Sequence, residues 1–420
     1  MFDFEKVQIL LSVLFYVAFI FSAFLWGLFL YYILVSSFSW KRKPELDAQK
    51  FLPKKRFGII IAAHNEERVI SGPIKSMQKM TYPKELFDIF VVADNCTDKT
   101  AAIAREEGAI VYERSNDELR GKGYALEWMF ERVFDMEKQY DALCVFDADN
   151  LVSANYLQEM NKHLCLNHEA VQGYIDSKNP EDSWVSGNNS IAFWIANRLV
   201  QLPRYTAGLS CILGGTGLMV SVPLLKELGW GATCLAEDLE FTLKMVLEGK
   251  KVSWAHDAKV YDEKPLKLKQ SWKQRKRWMQ GHFNCLANFF MPLMKKAIRD
   301  KDFIAFDMCI HLLQPVIVAM NGVGIVAGIL MIIILAATKG VTLMSVGLFV
   351  ISFMFLYLSS AFMILEHKLT WSSFKHLVVM PFYNLTWVPI VVQGFFARNN
   401  SEWSHTLHTR GEIQIEDIDT

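Results

Sequence analysis

The pattern of hydrophobic and polar positions divides the 420-residue chain into three parts. Residues 7–35 are almost continuously apolar and carry no charge. Residues 57–261 alternate short apolar runs with polar turns and helical patterns, and long apolar stretches return from residue 310. An apolar stretch of about 20 residues is long enough to cross a bilayer. The pattern therefore predicts a globular domain between two membrane-associated parts.

The central part predicts strands that alternate with helices. Strands are expected over residues 57–63, 87–93, 109–112 and 143–146, and helices up to residue 79 and over residues 99–107 and 123–134. This alternation is typical of βαβ units and a mainly parallel sheet. Each strand ends in polar or acidic residues, which would meet in the crevice where open α/β sheets bind ligands. We therefore predict an α/β nucleotide-binding domain.

Two carboxylates end the fourth predicted strand. Asp147 and Asp149 follow the apolar run 143–146 and are separated by one alanine. An unpaired carboxylate is costly in an apolar interior. At the end of a parallel strand, the two could face a divalent cation, since Mg²⁺ is usually held by one or two carboxylates and substrate phosphates. The alternative is a strand followed by an ordinary polar turn.

Other strand ends carry candidates for nucleotide binding. Asn65 and Glu66 could meet a base or a ribose, and Asp94 and Asp98 could accept hydrogen bonds from either. For Asp98, an Asx-turn and helix N-cap explains the residue equally well. Lys122 lies in a glycine-flanked cationic turn that could approach a phosphate, although a solvated surface turn has the same composition.

Two later segments contain further candidate site residues. The run 214–217, which contains Gly215 and Thr216, implies that the backbone lies close to a ligand or another strand. Glu237 and Asp238 open an amphipathic helix, where acidic residues complement the helix dipole. The alternative is that Asp238 acts as a general base.

Aromatic, basic and apolar segments indicate membrane contact. Residues 184–205 predict either an amphipathic helix on the membrane face or a core helix, and residues 264–282 fit a basic helix at an anionic lipid surface. Residues 310–338 and 341–365 are each long enough to span. Residues 377–397 contain two prolines and several polar groups, so we expect an interfacial or re-entrant segment.

Charge and cysteine content indicate the membrane topology, the kind of partner and the redox compartment. Basic residues follow the first apolar segment, which places the N-terminus outside and the globular domain in the cytosol. The formal net charge is +0, so no overall field suggests a nucleic acid partner. Seven cysteines without a Cys-x-x-Cys pair fit a reducing compartment.

Taken in order, these motifs resemble one family. Asp94, Asp147–Asp149, Glu237–Asp238 and the run 274–278 are similar to the signature of processive membrane family-2 glycosyltransferases, the synthases of cellulose, chitin, hyaluronan and poly-N-acetylglucosamine. The resemblance implies a GT-A fold with a mixed, mainly parallel sheet, embedded between transmembrane and interfacial helices. It also implies a UDP-sugar donor, a Mg²⁺ or Mn²⁺ ion and inverting transfer that forms a β-linkage.

The resemblance also assigns roles to individual residues. Those for the donor are Asn65, Glu66, Asp94, Lys122, Asp147, Arg277 and Arg410. By this resemblance, Asp149 and Asp147 are the metal ligands, and Asp238 is the catalytic base with Glu237 beside it. The residues that would bind the acceptor are Gln274, Trp278, Gly215 and Thr216. Trp403, with Thr409 and Arg410 beyond it, resembles a gating segment that closes over the donor. Ala236 stands where the family usually has threonine.

The expected organisation follows from these assignments. We predict an anchor over residues 1–40, a cytosolic catalytic domain over 41–265, interfacial helices over 266–302, transmembrane or re-entrant segments over 303–398 and a cytosolic tail over 399–420. The expected protein is a multi-pass plasma-membrane enzyme that uses UDP-N-acetylglucosamine or UDP-glucose to extend a polysaccharide. Because the predicted crossings are few, an accessory subunit or a homo-oligomer could complete a channel. The alternatives are an enzyme that adds one or few sugars to a lipid, and a silent subunit that only binds nucleotide.

Overall fold

Eight strands form one mixed sheet in the computed structural model, which describes residues 27–28, 30–40, 46–231, 234–319, 366, 368, 370–399, 410–411 and 413–418. The strands are β1 (Phe57–Ala63), β2 (Phe87–Asp94), β3 (Ile110–Arg114), β4 (Ala142–Asp147), β5 (Leu151–Val152), β6 (Ala170–Ser177), β7 (Leu218–Ser221) and β8 (Ser253–Asp262). Their order across the sheet is β3-β2-β1-β4-β7-β6-β8-β5.

The helices connect and cover these strands. They are α1 (Ser71–Gln78), α2 (Thr100–Glu106), α3 (Lys122–Phe134), α4 (Tyr156–Cys165), α5 (Trp184–Ala196), α6 (Leu202–Ala207), α7 (Val222–Leu228), α8 (Glu237–Leu247), α9 (Leu268–Arg299), α10 (Phe303–Leu312), α11 (Trp371–Leu385) and α12 (Trp387–Phe396). Residues 30–37 are also helical. A π-helical turn, Asn197–Gln201, joins α5 to α6.

The sheet has a parallel half and a mixed half. Strand β1 pairs in parallel with β2 and β4, and β2 pairs in parallel with β3. Strand β7 then runs antiparallel to β4 and β6, and β6 pairs in parallel with β8. The predicted mixed, mainly parallel sheet is therefore confirmed. All four predicted strands form within two residues of their expected ends, whereas none of β5, β6, β7 and β8 was predicted from the sequence.

Two apolar layers cover the two faces of the sheet. One contains buried residues of α3, including Leu126, Met129 and Phe130. The other contains Ile74 of α1 and Leu157 of α4. Because both faces are covered, the central strands are apolar over their whole length, as expected for a sheet buried between helices. Polar side chains therefore reach a crevice at the ends of these strands.

Residues 184–205 form a core element and do not lie as an exposed amphipathic helix. Ser183 caps α5 by accepting a hydrogen bond from the backbone N–H of Ser186 at 3.0 Å. Trp194 Nε1 donates to Asp176 of β6 at 2.7 Å, and Trp184 packs against the ring of Phe382 in α11. The helix is held between the sheet and α11, which favours the core-helix alternative. Its apolar composition therefore reflects packing against protein on two sides.

A buried ion pair joins the helices beside the domain. Arg204 of α6 donates from Nε to Asp307 Oδ2 at 2.8 Å and from Nη2 to Oδ1 at 3.1 Å, and both side chains are fully buried. The Tyr31 hydroxyl donates to Asp307 Oδ1 at 2.7 Å. A bidentate pair of this kind fixes orientation as well as charge. It attaches the helical residues 30–37 and α10 to the α/β domain.

Part of the predicted membrane region lies within the described residues. Among these, one helical stretch, Ser373–Phe396, is long and apolar enough to cross a membrane by length and composition. Thr386 interrupts it between α11 and α12. Most of the predicted anchor over residues 1–40 and of the spans 310–338 and 341–365 lies outside the described residues.

Candidate active site

Strand ends and parts of several helices line one cavity of about 500 Å³. Most of the predicted site residues line it: Glu66, Asp94, Lys122, Asp147, Asp149, Gly215, Thr216, Glu237, Asp238, Gln274, Arg277 and Trp278. They come from the ends of β1, β2 and β4, the start of α3, the loop before β7, the start of α8 and the face of α9. Residues that are more than 180 positions apart in sequence therefore share one crevice.

The turn after β4 is held by Asn150. Its Oδ1 accepts from the backbone N–H of Asp147 at 3.1 Å and from the hydroxyl of Thr216, and its Nδ2 donates to Asp149 Oδ1 at 3.2 Å. The other Asp149 oxygen accepts from the backbone N–H of Glu263 at 2.7 Å. The carboxylate of Asp149 is thus oriented from two sides. Asn150 is fully buried and was not singled out from the sequence.

Lys122 bridges two walls of the cavity. Its Nζ forms an ion pair with Asp147 and donates to the carbonyl oxygen of Gly215 at 2.6 Å. Burial alone would lower the pKa of this ammonium, but Asp147, Glu237 and Asp238 hold that pKa above its ordinary value. Lys122 is therefore a permanent positive charge at the start of α3. A diphosphate would meet both this charge and the helix N-terminus.

A buried ion pair orients Asp94. Arg114 donates from Nη1 to Asp94 Oδ1 at 2.5 Å and from Nη2 to the carbonyl oxygen of Leu119 at 2.7 Å. The two residues are partners in the register of β2 and β3, so the sheet itself brings them together. His64 Nδ1 lies 2.7 Å from the carbonyl oxygen of Asp94. Neither Arg114 nor His64 was predicted as a site residue. For Arg114, its position on β3 beside β2 is the feature that could have indicated a contact with Asp94.

Gly215 lies against the proposed base. Its φ is +78°, a conformation that L side chains rarely adopt, and a Cβ there would be 3.1 Å from Asp238 Oδ2. Gln172 of β6 fixes the same loop, donating from Nε2 to Thr216 O at 2.9 Å and accepting at Oε1 from Gly214 N at 2.8 Å. The glycine-rich run was predicted to approach a ligand or a strand. The approach to a strand is confirmed at Gly217, where a Cβ would be 2.4 Å from Val260 Cγ1 of β8, while Gly215 approaches the Asp238 carboxylate.

The two carboxylates at the start of α8 have raised pKa values. Burial and the neighbouring Asp238 raise the pKa of Glu237 to about 7, against the opposing effect of Lys122. Burial also raises the pKa of Asp238, while the hydrogen bond from Leu239 N at 2.7 Å opposes the rise. Opposed effects of this kind are typical of acid–base sites. The ligand-free cavity thus disfavours two adjacent negative charges.

Glu237→Gln is expected to stabilise the ligand-free protein increasingly as pH rises. The native pKa of Glu237, about 7, lies above that of an unfolded glutamate, so the native state binds more protons between these values and stability falls as pH rises through them. Removing the ionisable group should gain about 2 kcal/mol between pH 5 and pH 8. Thermal unfolding at both pH values measures this. Glu248→Gln, at the exposed end of the same helix, is the control, and an equal effect of both variants at pH 8 would contradict the assignment.

One face of α9 carries the predicted motif. Gln274, Arg277 and Trp278 line the cavity at spacings of three and four residues, which place them on one side of a helix. The ring of Trp278 contacts Phe193 of α5 edge-on, with centroids 6.1 Å apart. Phe193 also lines the cavity and was not predicted as a site residue. Two aromatic rings in contact with each other therefore form part of the cavity wall.

Arg275 of the same helix points away from the cavity, toward α11 and α12. It is fully buried, donates from Nη1 to Thr386 Oγ1 at 2.9 Å, and its guanidinium lies 4.4 Å and 4.9 Å from the ring centroids of Tyr383 and Trp387. Cation–π contacts of a desolvated arginine are among the stronger ones. The basic motif is thus divided between the cavity and the α11–α12 segment.

Close packing joins α9 to the residues that immediately precede α8. A Cβ on Gly281 would be 2.5 Å from the Cβ of Ala236 and 2.6 Å from its backbone nitrogen. Glycine at this position therefore allows the helix to touch the residue that precedes Glu237. Because the position of Ala236 is so crowded, its methyl group already fills the available space.

Two predicted donor residues lie outside the cavity lining. Asn65 adopts φ +57°, and its Oδ1 accepts from Thr97 N at 2.8 Å, so its side chain holds the loops after β1 and β2 together. Arg410 donates from Nε to Asp182 Oδ2 at 2.7 Å and from its backbone N–H to Glu263 at 3.0 Å. Trp403 and Thr409, which the gating prediction also used, lie outside the described residues.

The carboxylates of the cavity fit a divalent cation whose remaining ligands are phosphate oxygens. Within the described part of the chain, no group of three or more His, Cys, Asp or Glu side chains could hold a metal. Asp149 nevertheless presents an oriented carboxylate to the cavity, near the cationic Lys122. Mg²⁺ is commonly held by one or two carboxylates together with substrate phosphates and water. The site is thus suited to a metal–diphosphate complex and not to a metal alone.

Comparison with known proteins decides the family. Residues 53–281, more than half of the chain, match the family "Glycosyltransferase like family 2". The chain belongs to glycosyltransferase family 2. A mannosyltransferase from Pyrobaculum calidifontis, solved with GDP-mannose and Mn²⁺, shares the fold with a TM-score of 0.60 at 18% identity, covering 91% of this chain and 97% of that protein. The fold is thus of the GT-A type.

Some curated relatives of this family 2 glycosyltransferase are named for a lipid product and others for a polysaccharide product. A probable glycosyltransferase of Bacillus subtilis is 29% identical over 61% of this chain and 63% of its own length. A β-monoglucosyldiacylglycerol synthase of Nostoc is 25% identical over 61% of this chain and 55% of its own. A poly-β-1,6-N-acetyl-D-glucosamine synthase of Staphylococcus aureus is 23% identical, covering 70% of each chain. The matches to the first two thus span between about half and two thirds of those relatives.

Proposed function

We propose that this family 2 enzyme transfers a sugar from a UDP-sugar to a growing β-linked saccharide, with inversion at the anomeric carbon. One observation carries the proposal: Asp149, Lys122, Asp238, Arg277 and Trp278 line the same cavity. This set contains what the reaction needs, namely a metal ligand, cationic groups for the leaving diphosphate, a base and an apolar platform for a sugar ring. The family and the GT-A fold support the same reaction class.

The donor half would bind the nucleotide and stabilise the leaving group. Asp94, fixed by Arg114, is available for the base or ribose, while Lys122 and Arg277 supply positive charge to the diphosphate. A divalent cation held by Asp149 and Asp147 would neutralise charge on the departing phosphate. Preorganised charges of this kind usually contribute the largest share of catalysis.

The acceptor half would deliver the nucleophile. Asp238 takes the proton from the acceptor hydroxyl as that oxygen attacks the anomeric carbon opposite the leaving group. Its raised pKa makes it a stronger base than an exposed aspartate. Gly215 leaves room for this carboxylate, and Trp278 with Phe193 would pack against the acceptor ring. A single displacement with one base inverts the configuration.

A lipid acceptor is the second candidate. The cavity wall includes apolar residues such as Ile212, Leu239 and Met279, and some relatives are named β-monoglucosyldiacylglycerol synthases. Exposed aromatic residues on α11 and α12, including Trp371 and Phe396 at about 80% exposure, support attachment to a membrane surface. Either acceptor could be reached from that surface. We place the catalytic domain at the cytosolic face, consistent with its cysteine content.

The proposal is tested with the purified full chain in detergent. We expect nucleotide release from UDP-N-acetylglucosamine or UDP-glucose in the presence of Mg²⁺ or Mn²⁺, and its loss when the metal is chelated. Product length then separates the candidates, since a polymer supports the saccharide acceptor and one or two sugars on diacylglycerol support the lipid. Turnover of GDP-mannose without any turnover of UDP-sugars would contradict the proposed donor.

A further inference from the structure

Two histidines line the same cavity as the proposed acceptor platform, Trp278. His282 belongs to α9 and His311 to α10, and their ring centroids are 5.6 Å apart. Both side chains are more than nine-tenths buried, yet both line the cavity. Neither has a part in the donor chemistry or in proton abstraction by Asp238. Polar side chains at such a position call for an explanation.

The position of His282 relates these rings to Trp278. The two residues are four apart on α9, so they lie on the same helix face, about 6 Å apart along the axis. Gln274, Trp278 and His282 therefore form one line of cavity-facing residues. The ring of His282 lies beside that of His311 in α10, so the line leads from Trp278 to the pair of imidazoles.

The hydrogen-bonding state of the rings defines what they can recognise. His282 Nε2 lies 3.2 Å from the carbonyl oxygen of Leu312, so this nitrogen carries the hydrogen and Nδ1 is an acceptor. Burial lowers the pKa of His282 to about 4, which keeps the ring neutral. Among the described residues, no side chain or backbone group forms a hydrogen bond with either ring nitrogen of His311. Its ring therefore offers one donor and one acceptor to a ligand or a water in the cavity.

The surroundings favour a neutral ligand rich in hydroxyl groups. The nearby cation Arg204 is fully buried and forms a bidentate pair with Asp307, so its charge is already neutralised. Ile212 and Met279 are apolar neighbours in the wall. Neutral imidazoles beside apolar surface can accept from and donate to sugar hydroxyls while contacting the ring faces.

We propose that His282 and His311 form a second acceptor subsite, which binds the hydroxyl groups of the sugar that precedes the reacting unit. This inference rests on the proposed glycosyl transfer and specifies its acceptor as a saccharide of at least two β-linked units. The enzyme should accordingly prefer a disaccharide acceptor to the corresponding monosaccharide. The preference should depend on the two imidazoles and not on the donor residues.

The test compares acceptors of one and two sugars with His282→Phe and His311→Phe. The acceptors are glucose with its β-1,4 disaccharide and N-acetylglucosamine with its β-1,4 and β-1,6 disaccharides. Loss of one neutral hydrogen bond changes affinity by about three- to tenfold. We therefore expect the KM of the disaccharide to rise by that factor in each variant, with the KM of the monosaccharide and of the donor unchanged. His311→Gln, which retains hydrogen-bonding groups, should recover part of the loss.

The matched control is His163→Phe. His163 is also fully buried and also stacks on a second histidine, His168, at 5.1 Å, but it does not line the cavity. Equal disaccharide and monosaccharide KM values in the parent enzyme would overturn the second subsite, as would variants with an unchanged disaccharide KM. A rise in KM for dioleoylglycerol in vesicles, without one for disaccharides, would overturn the saccharide assignment. Absence of nucleotide release from the parent with every acceptor would instead refute the proposed function.

Discussion

Asp238→Asn is expected to lower the rate of transfer by about 10²–10⁴-fold, the usual contribution of a general base. The amide has the shape of the carboxylate, and its oxygen can still accept from the backbone N–H of Leu239, so the start of α8 should not move. What is lost is the ability to take the proton from the acceptor hydroxyl. Nucleotide release in the presence of saturating donor and acceptor measures the effect.

The control for this prediction keeps the helix and changes a remote carboxylate. Glu248→Gln lies at the exposed C-terminal end of α8 and does not line the cavity, so its activity should equal that of the parent. UDP affinity in the Asp238→Asn variant should stay within a few-fold of the parent value, because Asp238 contributes to the acceptor half. A variant with near-normal turnover would assign the base to another residue.

Asp149→Asn is expected to weaken metal-dependent binding of UDP by at least about a hundredfold, since even residues that only support a metal ligand commonly contribute 10–100-fold. The asparagine oxygen can still accept from the backbone N–H of Glu263, so one of the two hydrogen bonds that orient this side chain is kept and the one from Asn150 Nδ2 is lost. The neutral amide is a far poorer ligand for a hard divalent cation. Calorimetry of UDP binding with and without Mn²⁺, and Mn²⁺ electron paramagnetic resonance, measure the two steps separately.

Asp141→Asn provides the comparison for the metal site. Asp141 immediately precedes β4, at the end opposite to Asp149, and pairs with Lys55 at 3.1 Å. Its replacement should leave Mn²⁺ and UDP binding unchanged. If Asp149→Asn bound UDP in the presence of Mn²⁺ as tightly as the parent, the metal–diphosphate complex would have to be held elsewhere.

Sequence was informative where local pattern and site coincide. Asp94 is the last residue of β2 and Asp147 the last residue of β4, so an abrupt change from apolar to acidic residues located both the strand end and the crevice. The α9 motif was also recognisable, because its three cavity-facing residues repeat at helical spacing. In these cases the position of a side chain follows from its own secondary-structure element.

Other features depend on partners that are distant in sequence. Asn65 and Arg410 have the chemistry of donor ligands, but Thr97 and Asp182 engage their side chains. Nothing in their immediate neighbourhood indicates those partners. Asn150 and Arg114 show the converse, since residues with no evident role from sequence hold the carboxylates that were identified.

The second half of the sheet was harder to predict because its strands contain satisfied polar groups. In β6, Gln172 bonds the glycine-rich loop and Asp176 accepts from Trp194 and from Lys368 at 2.7 Å. These residues interrupt the apolar pattern that identifies a buried strand. The same contacts hold α5 in the core, which explains why an aromatic helix suggestive of a membrane face packs inside the domain.

The anomeric configuration of the first product tests the central claim most directly, because a single displacement assisted by Asp238 fixes the stereochemical outcome. The measurement is proton NMR of the product formed from an α-linked UDP-sugar, recorded before any equilibration of free sugar. We predict a β-linked product. An α-linked product would contradict a single in-line displacement and with it the role given to Asp238 as the base.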